Sequence, residues 1–366
     1  MKALFKHTII ATSLAAASMS AHADGFNFYA LIDGGMASNN IRGAGGTSRT
    51  EFVTGGYAPN FVGMTGEKSL GNGLKGGFQI EQGFLLTNNP TATNNSRFFF
   101  GPDSIANRQA NVYASGSFGT VRAGTQPNIA FKSVLLGDAR NGSNYGSSLA
   151  AVVIDGGLGT VDTSAISYTS PLMSGFTLAG SLVSSQRATP TSNVTSGARL
   201  SANYSKDAFS ATVATFTNNT KSVPSTPNAN GWVTGANYKF GAFTLKGSYI
   251  TEKNPGNRPA GAAAALNSLK TFGIGGNYDL SSETTLDFGV FRTADSKAKY
   301  KMNTTGVGIQ HKFIKDLTLY AQYAYVKNND AATVAYNFAG PTIQPGSISR
   351  GQSASTLNIG ALYAFF

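Results

Sequence analysis

Apolar and polar residues alternate along most of this chain, in runs of about ten residues that end in an aromatic residue or a turn. Clear examples begin at Ala202, Ala236, Gly276 and Ile309, which are 34, 40 and 33 residues apart. Because a period of two places successive side chains on opposite faces of a β-strand, each example predicts two strands joined by a tight turn. The chain is therefore predicted to be all-β and built from antiparallel hairpins.

The spacing of these runs predicts about 16 strands, and the connections between them alternate in length. Long, polar connections such as residues 184–197 and 217–230 alternate with turns of a few residues. Short turns on one rim and long loops on the other are typical of a transmembrane antiparallel β-barrel. The predicted strands begin at Phe26, Asn60, Leu74, Asn107, Phe118, Thr160, Gly175, Gly197, Ala208, Gly231, Ala242, Ser268, Thr284, Tyr300, Leu317 and Ser355.

The two ends of the chain indicate where such a barrel would reside. Lys2 and Lys6 frame the start of a mostly apolar stretch at residues 8–19, and Ala21-His22-Ala23 forms a small-x-small cleavage signal. We predict a signal peptide at residues 1–23 and one barrel domain at residues 24–366. A retained membrane anchor is the alternative, although the stretch is shorter than a spanning helix requires. The other end is an alternating strand closed by Phe365-Phe366.

An exported chain of alternating strands fits the bacterial outer membrane. A closed barrel crosses lipid without a long apolar helix, because every backbone group is paired between strands. After the predicted leader, no segment offers about 18 consecutive apolar residues, which excludes a helical membrane protein. A soluble secreted β-sandwich would share much of this composition, so composition alone does not separate the two.

Composition removes several kinds of site. The chain contains no cysteine, so it cannot form disulfides or thiolate metal sites. Removing Lys2 and Lys6 from the 28 basic residues leaves 26 against 17 acidic ones, a formal charge of +9. A basic balance can indicate nucleic-acid binding, but in a barrel anionic lipid or an electropositive pore explains it better. We therefore predict no nucleic-acid partner.

One long connection differs from the others. Residues 127–159 contain apolar segments and mixed charge. A loop of this length is usually functional or disordered, and its apolar residues argue that it packs against something. We predict that this third extracellular loop folds into the lumen and narrows it. Its charged residues include Lys132, Asp138 and Arg140. Asp138 and Arg140 are two residues apart, so they could form an ion pair with each other. The alternative, which we favour, is that at least one of them lines the constriction.

Alternation also assigns candidate lumen residues on the strands. Asp33, Lys75, Glu81 and Arg122 fall on the polar face of strands whose other face is apolar. Charges that act across a narrow water column are the physical basis of ion selectivity. The alternative for each residue is a solvated wall position with little effect.

An enzymatic barrel is the least supported alternative. Outer-membrane hydrolases generally need a histidine as general base, and only His311 lies beyond the predicted leader, near a predicted periplasmic turn. No carboxylate pair or metal cluster has suitable spacing, and the glycine-rich residues 71–77 lack the strand-to-helix context of a phosphate-binding loop. We predict no catalysis and no cofactor.

Several segments carry a family resemblance in their order and spacing. They are NFYALIDGGM at residues 27–36, VGMTGEKSLGNGLKGGFQIEQGF at 62–84, NRQANVYASGSFGTVRAGTQ at 107–126 and SAISYTSPLMSGF at 164–176. Together they resemble the trimeric general diffusion porins of Gram-negative bacteria, particularly the neisserial and burkholderial type. The resemblance covers the whole mature chain and implies a 16-stranded barrel, a homotrimer and a third loop folded into the pore.

Strand four shows where the resemblance adds to the pattern. By alternation, either Arg108 faces the lumen and Tyr113 the partner subunit, or Tyr113 faces the lumen; the resemblance favours Arg108 inward. The chain departs from the family at Phe61 and Thr125, where arginine is usual. The family's row of pore arginines is therefore incomplete here.

The combined interpretation is an outer-membrane porin through which small hydrophilic solutes and ions diffuse passively. Outer-membrane lipid and lipopolysaccharide are its expected surroundings. The charge of +9 suggests a mild anion preference. A substrate-specific outer-membrane channel is the main alternative.

Overall fold

The computed structural model describes residues 25–86, 108–184, 195–220, 228–255, 266–328, 333–335 and 347–365. It contains one α-helix, α1 (Ile129–Gly137), and one π-helical turn (Ala150–Asp155) within these ranges. The strands are β1 (Gly25–Arg42), β2 (Ser48–Thr54), β3 (Phe61–Gly71), β4 (Leu74–Gly83), β5 (Gln109–Gly116), β6 (Gly119–Pro127), β7 (Val161–Thr169), β8 (Phe176–Ser184), β9 (Thr195–Lys206), β10 (Phe209–Thr220), β11 (Ala229–Phe240), β12 (Phe243–Lys253), β13 (Ser268–Asp279), β14 (Thr284–Asp295), β15 (Tyr300–Ile314), β16 (Leu317–Asn328), β17 (Val334–Ala335), β18 (Ser347–Ile348) and β19 (Ser353–Phe365).

The strands form one closed antiparallel sheet. Consecutive strands pair from β3 to β16, β16 pairs with β19, and β19 pairs with β1 along thirteen positions, from Ala30↔Phe365 to Arg42↔Ser353. β1 completes the closure by pairing with β2 and β3 on its other side. The two short strands β17 and β18 pair only with each other.

The second wall strand is interrupted, which explains the strand count. β2 pairs with the second half of β1 and β3 with its first half, so the two are successive parts of one wall strand. Residues 55–60 between them leave the sheet. Counting β2 and β3 together, the 17-stranded sheet is a 16-strand barrel, and the predicted fold is confirmed.

The wall is apolar outside and polar inside. Phe28, Ile166 and Leu182 are 62%, 62% and 70% exposed on the outer surface, although each lies in a paired strand. The alternate residues of these strands point inward, and many of them are polar, as with Ser167 beside Ile166 and Ser181 beside Leu182. Exposed aliphatic and aromatic side chains in this number are stable in contact with lipid and not with water.

The connections differ between the two rims. Those after β3, β5, β7, β9, β11, β13 and β15 are short turns on the rim where β1 begins and β19 ends. The first of them is formed by Gly71, Asn72 and Gly73, all with positive φ, so the glycine-rich segment is a turn. The remaining connections lie on the opposite rim and are mostly longer. Short turns are periplasmic and long loops extracellular in barrels of this kind.

The sequence located the wall strands closely. Each predicted start lies within two residues of an observed one, for example Leu74, Ser268 and Tyr300, where the two coincide. β2 was not predicted. The predicted signal peptide at residues 1–23 lies outside the described residues. No helix within the described ranges is both long and apolar enough to cross a membrane.

Candidate functional site: the lumen and its infolded loop

The connection between β6 and β7 enters the barrel, as predicted. Asn128 caps helix α1 by accepting hydrogen bonds from the backbone N–H groups of Ala130 and Phe131. The helix then packs against the inner face of the wall at β9, β10, β11 and β12. We call residues 128–160 the infolded loop.

Apolar side chains attach the helix to the inner wall. Ala130, Phe131, Val134 and Leu135 pack in one buried cluster with wall residues such as Phe216, Val233 and Ile250. Inward-facing apolar residues are unusual where a barrel wall would otherwise meet water. The wall sequence of β10 to β12 is therefore matched to a covering segment.

Glycines on the inner wall let the infolded loop approach the backbone of the strands. A Cβ atom on Gly235 of β11 would lie 2.9 Å from the Cα of Gly137. A Cβ on Gly306 of β15 would lie 2.7 Å from the carbonyl oxygen of Gly146. The atom that the added Cβ would meet is a backbone atom of the loop in both cases. A side chain at either wall position would therefore displace the loop.

Two charged residues of the infolded loop act as anchors. Arg140 forms an ion pair with Asp287 of β14 and donates a hydrogen bond of 2.9 Å to Gln322 of β16. Asp138 accepts from the backbone N–H groups of Arg140 and Ser148 at 2.8 and 2.9 Å. Asp138, Arg140 and Asp287 have no exposed surface. The two loop residues thus form no ion pair with each other, and the structure places both out of contact with lumen water.

A second segment, not predicted from the sequence, also enters the lumen. Asp33 of β1 accepts hydrogen bonds from the backbone N–H of Tyr57 and of Ala58 at 2.7 and 2.6 Å. It also accepts from the Tyr320 hydroxyl at 2.6 Å. Asp33 does point inward, but it is fully buried beneath residues 55–60 and holds them in place.

The inward segment and the infolded loop support each other. Asn144 donates its backbone N–H to the carbonyl oxygen of Tyr57 and its side-chain amide to that of Gly55. The Tyr57 hydroxyl accepts a hydrogen bond from Gln310 of β15. The side of the lumen lined by β14, β15, β16, β19 and β1 is therefore covered by two segments that are hydrogen-bonded to each other.

The opposite side of the lumen, lined by β3 to β6, remains a polar wall. Glu81 forms an ion pair of 2.5 Å with Arg108 and accepts hydrogen bonds from Tyr29 and Gln109. The Arg108 guanidinium also lies 4.6 Å from the centroid of the Phe61 ring. This contact places Phe61 against an arginine, at a position where the family itself usually has one.

Arg122 lies on the same wall, nearer the short-turn rim. Its guanidinium stacks 4.8 Å from the centre of the Tyr113 ring and donates to the side-chain oxygens of Asn111 and Gln79. Tyr113 in turn donates to Glu67, which pairs with Lys75 at 2.7 Å. Lys75 is exposed close to the short turn between β3 and β4.

Arg108 faces the lumen, as the resemblance favoured, but Tyr113 faces it as well, so the two orientations are not alternatives. Tyr113 shares its inward face with Gln109 and Asn111, as alternation requires. Arg108 precedes the first residue of β5, where alternation no longer applies, and turns inward to reach Glu81.

Lys132 is the charged side chain that the infolded loop presents to the open lumen. It is the exposed residue of α1, whereas most of the helix is buried against the inner wall at β9 to β12. Its ammonium lies close enough to Arg122 for the two positive charges to interact. Enclosure within the barrel, and then the charge of Arg122, lower the pKa of Lys132 from 10.5 to about 8.

His311 lies far from this region. Its Nδ1 is 2.9 Å from the Thr284 hydroxyl, and both residues lie on the outside of the short-turn rim. Among the described residues, no group of three or more histidine, aspartate or glutamate side chains could hold a metal ion.

A closed barrel with a polar lumen and an infolded loop defines a pore of the outer membrane. The model of the Gram-negative porin family matches residues 11–331, so the chain belongs to this family. It is an outer-membrane channel for passive diffusion of small hydrophilic solutes and ions, and not an enzyme.

Individual relatives agree with this assignment. The chain is 25% identical to outer membrane porin protein 32 of Delftia acidovorans, over 98% of this chain and 100% of that protein. It is 32% identical to the major outer membrane protein P.IB of Neisseria gonorrhoeae, over 33% of this chain and 32% of that protein.

Two solved structures show the same fold. The anion-selective porin from Comamonas acidovorans superposes with a TM-score of 0.77 at 21% identity, covering 93% of this chain and 100% of that one. The trimer form of OmpT from Vibrio cholerae superposes with a TM-score of 0.66 at 13% identity, covering 94% and 100%.

Proposed function

We propose that this porin prefers anions, and that Arg122 and Lys132 set the preference. The observation that carries the proposal is that these two cations face the open part of the lumen and interact with each other, whereas Arg108 and Arg140 are each paired with a carboxylate. Arg108 is neutralised by Glu81 and Arg140 by Asp287, whereas neither Arg122 nor Lys132 has a carboxylate partner within the described residues. An uncompensated positive charge raises the local concentration of anions in a narrow aqueous passage.

The other predicted residues have different roles in this proposal. Glu81 and Arg108 line the passage as a neutral pair, and Lys75 lies at its periplasmic mouth. Asp33, Asp138 and Arg140 act behind the surface of the pore, by fixing the two inward segments.

The test is the reversal potential across a potassium chloride gradient in a planar bilayer. We expect chloride to permeate more readily than potassium in the wild-type channel. The variant R122Q/K132Q should bring the permeability ratio close to one. The matched control K312Q/K315Q removes two exposed charges at the short-turn rim and should leave the ratio unchanged. Potassium preference in the wild type, or an unchanged ratio in R122Q/K132Q, would reject the proposal.

We also propose that the channel is a homotrimer in contact with outer-membrane lipid and lipopolysaccharide. The similar OmpT structure is described in a trimer form. The outer surface of this chain carries the exposed apolar side chains that either a partner subunit or lipid must cover, such as Phe26 and Val112. Closure of single reconstituted channels in three equal steps would support the trimer, and closure in one step would contradict it.

A further inference from the structure

Six basic side chains lie on the outer face of the barrel near the extracellular rim. Each comes close to the extracellular end of its strand, and each alternates with inward-facing neighbours. They belong to β12, β13, β14, β15, β16 and β1, and all are exposed. We call them the outer basic row: Lys253, Lys270, Arg292, Lys301, Lys327 and Arg42.

Strand register places these residues side by side. Arg292 pairs with Asn303, Asn303 with Lys327, Lys327 with Ser353, and Ser353 with Arg42. Lys270 of β13 and Lys301 of β15 both pair with Ala294 of β14, which lies two residues beyond Arg292 towards the extracellular rim. Adjacent strands are about 4.8 Å apart, so seven neighbouring strands spread the row over roughly 29 Å.

Most of the outer basic row has no compensating acid among the described residues of its own surface. In the described parts of these strands, the acidic residues of the extracellular half, Glu252 and Asp295, are buried and point inward. Lys253, Lys270, Arg292 and Lys327 form no ion pair with any described residue. Four of the six charges therefore face outward without a protein partner.

The row lies at the upper edge of the apolar surface. Just below it on the outer face are Tyr249, Phe272 and Val290, which are 44%, 51% and 49% exposed. Aromatic side chains mark the level of lipid headgroups on a transmembrane barrel. The neighbouring strands β8 to β11 carry no outward basic residue at the same height within the described residues, where Ser184, Ala198 and Asn230 occur instead.

We propose that the outer basic row is a docking surface for the phosphate groups of the outer-leaflet glycolipid, lipopolysaccharide. This inference deepens the proposed contact with lipopolysaccharide and rests on it. A row of exposed lysines and arginines directly above an apolar band matches a lipid that carries phosphates above its acyl chains. The strands β12 to β16 and β1 would recruit this lipid, whereas β8 to β11 would contact lipid through apolar packing alone.

The experiment measures binding of fluorescently labelled lipopolysaccharide to the purified full-length protein in dodecyl maltoside micelles, by fluorescence anisotropy. The test variant is K253Q/K270Q/R292Q/K327Q. The matched control, K68Q/K206Q/K312Q/K315Q, removes the same number of exposed charges at the periplasmic rim. Each basic residue at a lipid surface contributes roughly fivefold in affinity, so we expect the test variant to bind at least about tenfold more weakly.

The control variant should bind within about twofold of the wild type. Enzymatically dephosphorylated lipopolysaccharide should bind the wild type as weakly as the intact lipid binds the test variant. Equal binding by the wild type and the test variant would refute the proposed role of the outer basic row, but it would be compatible with a lipopolysaccharide contact elsewhere on the barrel. A wild type that binds no lipopolysaccharide would overturn both. An equal loss in the periplasmic control would show that net charge alone is responsible and would also overturn the row.

Discussion

The two sides of the lumen are built from the same alternating strands but differ in what covers them. The wall formed by β9 to β16 lies behind the infolded loop and carries glycines, apolar residues and charges with no exposed surface. The wall formed by β3 to β6 is open to the lumen and carries arginines held by aromatic rings and amides. The infolded loop of the covered side narrows the passage and presents one cation to it, Lys132, whereas the open side carries most of the charged side chains that face the passage.

This difference shows that an inward-facing charge need not be a pore charge. Arg140 and Arg122 both point into the barrel, but Arg140 is sealed against Asp287 whereas Arg122 is stacked at the edge of the water column. Removing a sealed charge leaves its partner unpaired in a low-dielectric site. Removing an open charge changes mainly the field that an ion meets. The following variants separate these two effects.

The largest effect is expected for R140M on the covered side. Asp287 would remain buried without its cation, which destabilises a protein by about 3–5 kcal/mol. The released infolded loop should also widen the passage, so single-channel conductance should rise. The measurements are urea unfolding followed by the loss of heat-modifiable mobility, and conductance in planar bilayers.

The control for R140M is R140M/D287L, in which no buried charge is left over. It should recover much of the lost stability, since replacing a buried ion pair by apolar residues is often nearly neutral. If the double variant is as unstable as R140M, the ion pair is not what holds the infolded loop.

The glycine contacts of the covered side should give the next largest effect. In G235A, the new Cβ would meet the backbone of Gly137 at 2.9 Å, and overpacking of this kind costs about 1–3 kcal/mol. We expect a shifted loop, seen as an altered conductance or added current noise. G247A is the matched control, because Gly247 lies on the outward face and a Cβ there would come no closer than 3.6 Å to its nearest neighbour, the carbonyl oxygen of Gly273. Equal conductance and noise in the two variants would argue against close packing of the infolded loop on β11.

On the open side, E81Q should change selectivity more than stability. Glu81 neutralises Arg108, so its loss leaves a third uncompensated cation beside the passage. We expect the chloride-to-potassium permeability ratio to rise several-fold above that of the wild type. E67Q, which frees Lys75 near the wider periplasmic mouth, should raise the ratio less. A fall in the ratio for E81Q would contradict the assignment of the open side.

The same contrast explains what the sequence could and could not predict. Wall strands were located within two residues because alternation is a local signal that lipid outside and polar surfaces inside impose on every strand. The infolded loop was recognisable because residues 127–159 contain apolar segments that a solvated loop would not need. Both inferences use neighbouring residues only.

The roles of Arg140 and Asp33 could not be predicted from the sequence, because they depend on partners distant in the chain. Arg140 meets Asp287, and Asp33 receives the backbone of Tyr57, with no local pattern that links them. The inward segment at residues 55–60 looks like an ordinary turn-rich connection for the same reason. Tyr113 was expected to face outward because alternation was counted from Arg108, which precedes the start of β5.

The smallest expected effect is a pH dependence of the anion preference, carried by Lys132. Its pKa is lowered to about 8, and the lumen water that reaches its exposed side chain opposes this shift. We therefore expect its charge to be lost as pH rises between about 8 and 10.5, the ordinary lysine value. The permeability ratio should be constant at pH 6–7 and fall as Lys132 deprotonates, while Arg122 keeps its charge. K132Q should show the low ratio already at pH 7 and little change with pH. If K132Q keeps the pH dependence of the wild type, another group titrates, and Lys132 is not the lumen charge that the infolded loop contributes.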